Sequence, residues 1–157
     1  MAWEFSVLVV ANVTATSGDL LAAMSERSRQ GACRFTLIVP STGPESEARK
    51  EEALTRMRAV GLEKVEGRVG DPDPVVAVME IWDPRNFDEI LVSTLPTDSS
   101  RWLGLDLPHR LERLTSVTVR HVISQPRREV HTSPPPPKPE RHGVLAPLAA
   151  ALKGRAR

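Results

Sequence analysis

Short apolar runs rich in β-branched residues alternate along the chain with longer segments whose apolar residues recur at helical spacing. Nearly continuous apolar character is typical of strands that are covered on both faces of a parallel sheet. Leu, Met and Val at every third or fourth position are typical of helices with one buried face. The pattern predicts five strands, at 5–13, 33–40, 64–71, 87–94 and 116–124, and helices at 16–31, 43–61, 73–82 and 105–115.

This strict alternation predicts an α/β fold. The expected architecture is a five-stranded, parallel, doubly wound sheet of the Rossmann-like type, with helices on both faces and right-handed crossovers, over residues 1–125. In such a sheet, ligands bind beyond the carboxyl ends of the strands, where the strand order reverses. The loops that follow the strands are therefore the places in which function is expected.

The third and fourth helices show clear start signals and apolar faces. Asp73 can cap the third helix, Pro74 suits its first position, and Gly70 is expected to permit a tight turn before it. The residues predicted to face inward are Val75, Val78, Met79 and Trp82 on the third helix, and Leu107, Leu111 and Leu114 on the fourth.

After Gln125 the composition changes to proline and charge, which is typical of an extended linker and cannot continue the sheet. The sequence predicts a proline-rich linker over 126–143 and a short amphipathic segment over 144–157. Three interpretations of this tail stay open. It is disordered, it folds back on its own domain, or it presents a docking helix to a protein partner.

Composition narrows the classes of protein to which the chain can belong. Its 157 residues, 40% of them hydrophobic, are enough for one domain with a core. With 21 basic and 20 acidic residues, no overall field attracts nucleic acid or an anionic membrane. The single cysteine, Cys33, suggests a reducing compartment and is expected to be an inert packed thiol. We therefore expect a cytoplasmic protein that does not insert into membranes.

The usual signatures of catalysis are missing from the sequence. It contains no Walker A motif, no G-x-G-x-x-G after the first strand and no G-x-S-x-G elbow. Histidines 109, 121, 131 and 142 have no metal-ligand spacing. No acid and base pair or activated nucleophile is visible, so we expect neither an enzyme nor a metal site.

Four segments carry a resemblance to a known family: "VLVVANVTA", "VEGRVGDPDPVVAVME", "FDEILVSTLP" and "DLPHRLERLTSVTVRHV". In this order they resemble the universal stress protein family over about residues 5–124. The resemblance implies the doubly wound sheet described above. Members of that family commonly dimerise through the last strand, so it also implies a homodimer through 117–124.

The resemblance also implies where a nucleotide would bind. Members that bind ATP carry an aspartate just past the first strand and a G-x-x-G-x(9)-G-[ST] signature after the fourth. In this chain Asn12 stands at the aspartate position, and Ser93 and Pro96 stand at the first two glycine positions. The final pair falls near Leu105 and Asp106, where a negative charge opposes a phosphate. Because proline has no N–H, the sequence predicts a degenerate nucleotide site.

Five residues remain candidates for contact with a base, a ribose or an anion: Asn12, Val39, Ser93, Thr94 and Arg101. Trp102 either stacks on a base or closes over the core. Two hypotheses follow. The first is a non-catalytic stress-response or regulatory protein that acts through protein–protein interaction and uses no cofactor. The second is an adenine-nucleotide sensor that binds ATP or AMP in a modified pocket.

Overall fold

The computed structural model describes residues 3–96 and 100–125, which form a parallel sheet with helices on both faces. This confirms the predicted fold class. The strands are β1 (Phe5–Val10), β2 (Cys33–Pro40), β3 (Val65–Gly70), β4 (Glu89–Thr94) and β5 (Val119–Ile123). The helices are α1 (Gly18–Arg29), α2 (Ser46–Ala59), α3 (Pro74–Ile81), α4 (Arg101–Gly104) and α5 (Leu107–Thr115).

The strand order is β3-β2-β1-β4-β5, and every neighbouring pair is parallel. The chain runs outward from β1 through β2 to β3, and then returns to the other side of β1 to form β4 and β5. The strand order therefore reverses between β1 and β4, which pair from Val7 opposite Glu89 to Val10 opposite Val92. In a doubly wound sheet this reversal opens a crevice at the carboxyl ends of the two strands.

Alternate residues of the strands face two separate apolar clusters, as expected for a sheet covered on both sides. One cluster packs the sheet against α1 and α2, and it includes Val7, Val9, Leu37, Leu91, Leu20, Met24 and Met57. The other packs the sheet against α3 and α5, and it includes Leu8, Val10, Ile38, Ile90, Ala77, Val78, Leu107 and Leu111.

Helix α3 packs on the sheet largely through the predicted face, with Val78 buried and Val75 and Trp82 against the cluster, and Met79 is the exception. Its buried residues are Pro74, Ala77 and Val78, whereas Met79 is 42% exposed. The reason is a close approach to the sheet, since a Cβ added at Gly70 would lie 2.8 Å from Ile38 Cδ1 and 2.9 Å from Ala77 Cβ. Gly70 is therefore needed for packing, a role that the sequence did not predict.

The helix ends include one confirmed prediction and two differences. The Asp73 side chain accepts hydrogen bonds from Val75 N and Val76 N, as expected of a cap. Leu114 on α5 is 52% exposed, because buried Thr115 takes the last inward position and bonds Leu111 O at 2.6 Å. The single turn α4 was not predicted.

Three further predictions concern the C-terminal tail, membrane insertion and Cys33. The linker predicted over 126–143 and the amphipathic segment over 144–157 lie outside the described residues. Within 3–96 and 100–125, no helix is long and apolar enough to cross a membrane. Cys33 is half-buried, its thiol lies 3.5 Å from Arg27 O, and burial raises its pKa.

The close approach of α3 to the sheet yields a stability prediction. Gly70→Ala should lower the free energy of unfolding by about 1–3 kcal/mol, because the new methyl group overlaps Ile38 and Ala77. Urea denaturation measures the change. Gly31→Ala is the matched control, since a Cβ there meets nothing within 4 Å. Equal stability of the two variants would contradict the packing role of Gly70.

Candidate functional site at the carboxyl ends of β1 and β4

A cavity of about 260 Å³ lies where the strand order reverses. Its lining comes from the loop after β1, the end of β4 with the loop that follows, and α4. The described residues that line it are Asn12, Val13, Thr14, Ser93, Thr94, Leu95, Ser100, Arg101 and Trp102. Four of the sequence-predicted residues, Asn12, Ser93, Thr94 and Arg101, therefore meet in one cavity.

Val39 is placed elsewhere. It is fully buried in the cluster that joins the sheet to α1 and α2, and it is not part of the described cavity lining. Its side chain points into the core. Val39 supports the sheet rather than the cavity.

Asn12 is held by two hydrogen bonds to the protein. Its Nδ2 donates to Pro40 O at 2.9 Å, and its Oδ1 accepts from Arg49 Nη1 at 2.6 Å. A carboxylate at this position would have no N–H for the Pro40 carbonyl. The amide therefore suits a structural role that ties the loop after β1 to β2 and α2. Sequence analysis missed Arg49, which lies on α2 and shows no motif.

The hydroxyl groups of Ser93 and Thr94 are bonded to the end of the sheet near β5. Ser93 Oγ lies 2.8 Å from Ser124 Oγ, which in turn lies 2.7 Å from Ser17 Oγ. Thr94 Oγ1 lies 2.7 Å from His121 Nε2. Ser93, Thr94 and Ser124 are buried. The cavity wall, β5 and the N-cap of α1 are thus joined by side-chain hydrogen bonds.

Arg101 and Trp102 lie on the single turn α4, which begins where Ser100 Oγ accepts from Leu103 N at 3.3 Å. Arg101 is exposed and is the charged residue in the described lining. A guanidinium there can bind an anionic group. Trp102 is half-buried and packs against the cluster under α3 and α5, while it also lines the cavity. It closes over the core and still borders the cavity.

The loop after β4 gives little support for a triphosphate. Pro96 follows Leu95 of the lining and has no N–H to donate. Asp106 is exposed and lies 2.6 Å from His109 Nδ1. It is not part of the described cavity lining. Across 3–96 and 100–125, no group of three or more His, Cys, Asp or Glu could hold a metal ion.

No protein-family model matches the chain, and no curated protein matches it. Among solved structures, it is similar to the crystal structure of a universal stress protein in complex with cAMP. The TM-score is 0.60 and the identity is 20%, and the match covers 79% of this chain and 99% of the other. The chain has the universal stress protein fold. The resemblance noted in the sequence is confirmed at the level of that fold.

The row of hydrogen-bonded hydroxyl groups of Ser17, Ser124 and Ser93, called the hydroxyl chain, can be tested by one substitution. Ser124→Ala removes the common partner of Ser93 and Ser17, and should lower the free energy of unfolding by about 1–3 kcal/mol. Chemical denaturation measures it. Ser28→Ala, at a half-buried serine with no side-chain hydrogen bond among the described residues, should have little effect. A Ser124→Ala protein as stable as the unsubstituted chain would show that the hydroxyl chain contributes nothing.

Proposed function

We propose that this chain is a non-catalytic regulatory protein of the stress-response type, which acts in the cytoplasm by binding other proteins and keeps a degenerate nucleotide site. The observation that carries the proposal is the bonding of the cavity wall. The polar side chains of Asn12, Ser93 and Thr94 are already paired with residues of the fold. Groups bonded in this way hold the end of the sheet together and are poorly placed to activate a nucleophile or a water molecule.

Three features of the cavity argue against binding of a triphosphate. The loop after β4 has Pro96 in place of a backbone donor. The described lining contains one cationic side chain, Arg101, for a group that carries several negative charges. The volume of about 260 Å³ lies just below the range of about 300–1,000 Å³ that is typical of small-molecule pockets. These features favour a small ligand over ATP.

A second candidate function is a sensor of an adenine nucleotide with a single phosphate. Trp102 offers an aromatic surface for a base, and Arg101 offers a cation for one phosphate. Such a ligand does not need a glycine-rich cradle. The similar solved structure, a universal stress protein in complex with cAMP, shows that a protein of this fold holds a nucleotide with one phosphate.

Calorimetric titration of the purified full-length chain separates the possibilities. If AMP binds, ATP should bind no more tightly, because the described lining has one cationic side chain, Arg101, and Pro96 has no N–H for the two added phosphates. Arg101→Gln should weaken AMP binding by about tenfold or less. Arg113→Gln, an exposed arginine on α5 outside the described lining, is the matched control.

The results of the titration with AMP and ATP distinguish the two proposed functions. ATP affinity at least about tenfold above that of AMP would contradict the loss of the phosphate site. Absence of binding by either nucleotide would reject the sensor and leave the protein-binding function.

We further propose that the chain forms a homodimer through β5, within 117–124. β5 lies at one edge of the sheet and pairs with β4 alone among the described strands. Thr118 O and Ser124 N bond to β4, so the alternate residues Val119, His121 and Ile123 direct their backbone groups away from it. An open edge of this kind can pair with a second copy. The tail that follows Gln125 is proposed as the site for a different protein partner.

Edge pairing can be tested at Ile123, whose side chain is 47% exposed. Ile123→Pro removes an outward N–H. It leaves in place the hydrogen bonds that Thr118 O accepts from Ile90 N and that Ser124 N donates to Thr94 O. The variant should be monomeric by light scattering after size-exclusion chromatography. Ile123→Thr keeps the N–H and should remain a dimer. A monomeric unsubstituted chain, or a dimeric proline variant, would contradict pairing through this edge.

A further inference from the structure

His121 and Thr94 connect the exposed edge of the sheet to the cavity. Thr94 is 2% exposed and lines the cavity, whereas His121 belongs to the edge strand β5. Their polar atoms, Thr94 Oγ1 and His121 Nε2, are 2.7 Å apart. We propose that the protonation state of His121 decides whether Thr94 offers the cavity a hydrogen-bond acceptor or a donor, and so links ligand affinity to pH. The link to affinity rests on the proposed nucleotide site.

The two states follow from the hydrogen-bonding capacity of the groups. A neutral imidazole with its hydrogen on Nδ1 accepts at Nε2, so the Thr94 hydroxyl donates to it and leaves oxygen lone pairs for the cavity. When a proton from solvent adds to Nε2, this nitrogen can only donate. Thr94 Oγ1 then accepts, and its hydrogen must turn toward another acceptor. An oxygen atom of a bound ligand is such an acceptor, so the protonated state favours a ligand rich in acceptors.

The surroundings make His121 the group that titrates here. Partial burial lowers its pKa, and no charged neighbour contributes to that shift. The elements packed against β5 are α1, β4 and α5. Among the described residues, no titratable or charged side chain of these three elements bonds or pairs with the imidazole, and neither does Arg120 of β5 itself. The side chains of the three elements are Asp19, Glu26, Arg27, Arg29, Glu89, His109, Arg110, Glu112 and Arg113.

Ser93 provides an internal reference for this arrangement. Ser93 also lines the cavity, and its hydroxyl bonds to a residue at the end of β5, because Ser124 Oγ lies 2.8 Å away. Serine does not titrate in the range in which histidine does. We therefore expect pH to change the hydrogen bonding of Thr94 and not that of Ser93.

The first test needs no ligand. Nitrogen-15 NMR of the full-length, histidine-labelled chain reports which ring nitrogen of neutral His121 carries hydrogen, with the signal assigned from His121→Gln. The expected form has hydrogen on Nδ1, whereas free neutral imidazole favours hydrogen on Nε2. Thr94→Ser should keep the Nδ1–H form, and Thr94→Val should lose it. Hydrogen on Nε2 in the unsubstituted chain would overturn the proposal, because Thr94 would then accept in both states.

The second test measures the affinity for cAMP by calorimetry at several values between about pH 8 and pH 5. cAMP is the probe because its phosphodiester keeps one negative charge throughout this range. Affinity should rise about threefold to tenfold as His121 becomes protonated, the size of one gained hydrogen bond. By linkage, bound cAMP should raise the pKa of His121. Thr94→Ser should retain the pH effect.

Thr94→Val separates the hydroxyl from the charge of the imidazole. This variant keeps a titrating His121 but has no hydroxyl group at position 94 that can change between donor and acceptor. Its affinity for cAMP should therefore not vary with pH. An unchanged pH effect in Thr94→Val would overturn the proposal, since charge attraction alone would then explain it. Binding of cAMP with no pH effect in the unsubstituted chain would overturn it as well. If cAMP does not bind at any pH, the nucleotide site itself fails, and the ring-nitrogen result alone decides whether His121 controls Thr94.

Discussion

Hydrogen bonds between the carboxyl ends of β4 and β5 hold together the part of the molecule where function is expected. Ser93 bonds to Ser124 and Thr94 bonds to His121, while Ser124 N also donates to Thr94 O at 2.7 Å. Parallel strands bring these ends to one rim of the sheet. The same side chains that line the cavity therefore anchor the last strand. Removal of the hydroxyl group of Ser93 or Thr94 therefore also removes a bond to the end of the edge strand.

The cavity differs from an ATP site in a consistent way. Asn12 stands where the resemblance places an aspartate, and its amide uses both its nitrogen and its oxygen to join Pro40 and Arg49. Pro96 stands where a glycine would expose a backbone donor. Pro96 has no N–H to donate, and Asn12 makes contacts within the protein instead. At Asn12 the polar side chain is thus committed to contacts within the protein that order this end of the sheet.

The features that could be predicted from the sequence are those that depend on neighbouring residues. Apolar runs and helical spacing were sufficient for the strands and for the doubly wound class, and the cap at Asp73 followed from its local pattern. Val75, Val78 and Trp82 of α3 were predicted to face the core and do so, whereas the burial of Ala77 could not be predicted, because it depends on the close approach of Ala77 to Gly70. The hydropathy of α3 itself favoured Met79 for that face, and a small residue that permits close packing gives no strong signal.

The candidate site was predicted in part for a similar reason. Asn12, Ser93 and Thr94 could be found because strand ends can be located and a doubly wound sheet gathers them. The partners of these residues, Arg49, Ser124 and His121, depend on helix orientation and strand register. The burial of the Val39 side chain in the core could not be predicted for the same reason, since it depends on the face of β2 to which the side chain points.

β5 combines two properties that bear on each other. Its outward backbone groups include those of His121, and the imidazole of the same residue bonds to Thr94 inside the cavity wall. A protein that pairs with this edge removes water from the neighbourhood of the imidazole, and loss of water disfavours its charged form. Edge pairing and protonation are therefore expected to oppose each other. A protein built in this way would combine a partner signal with a pH signal at one residue.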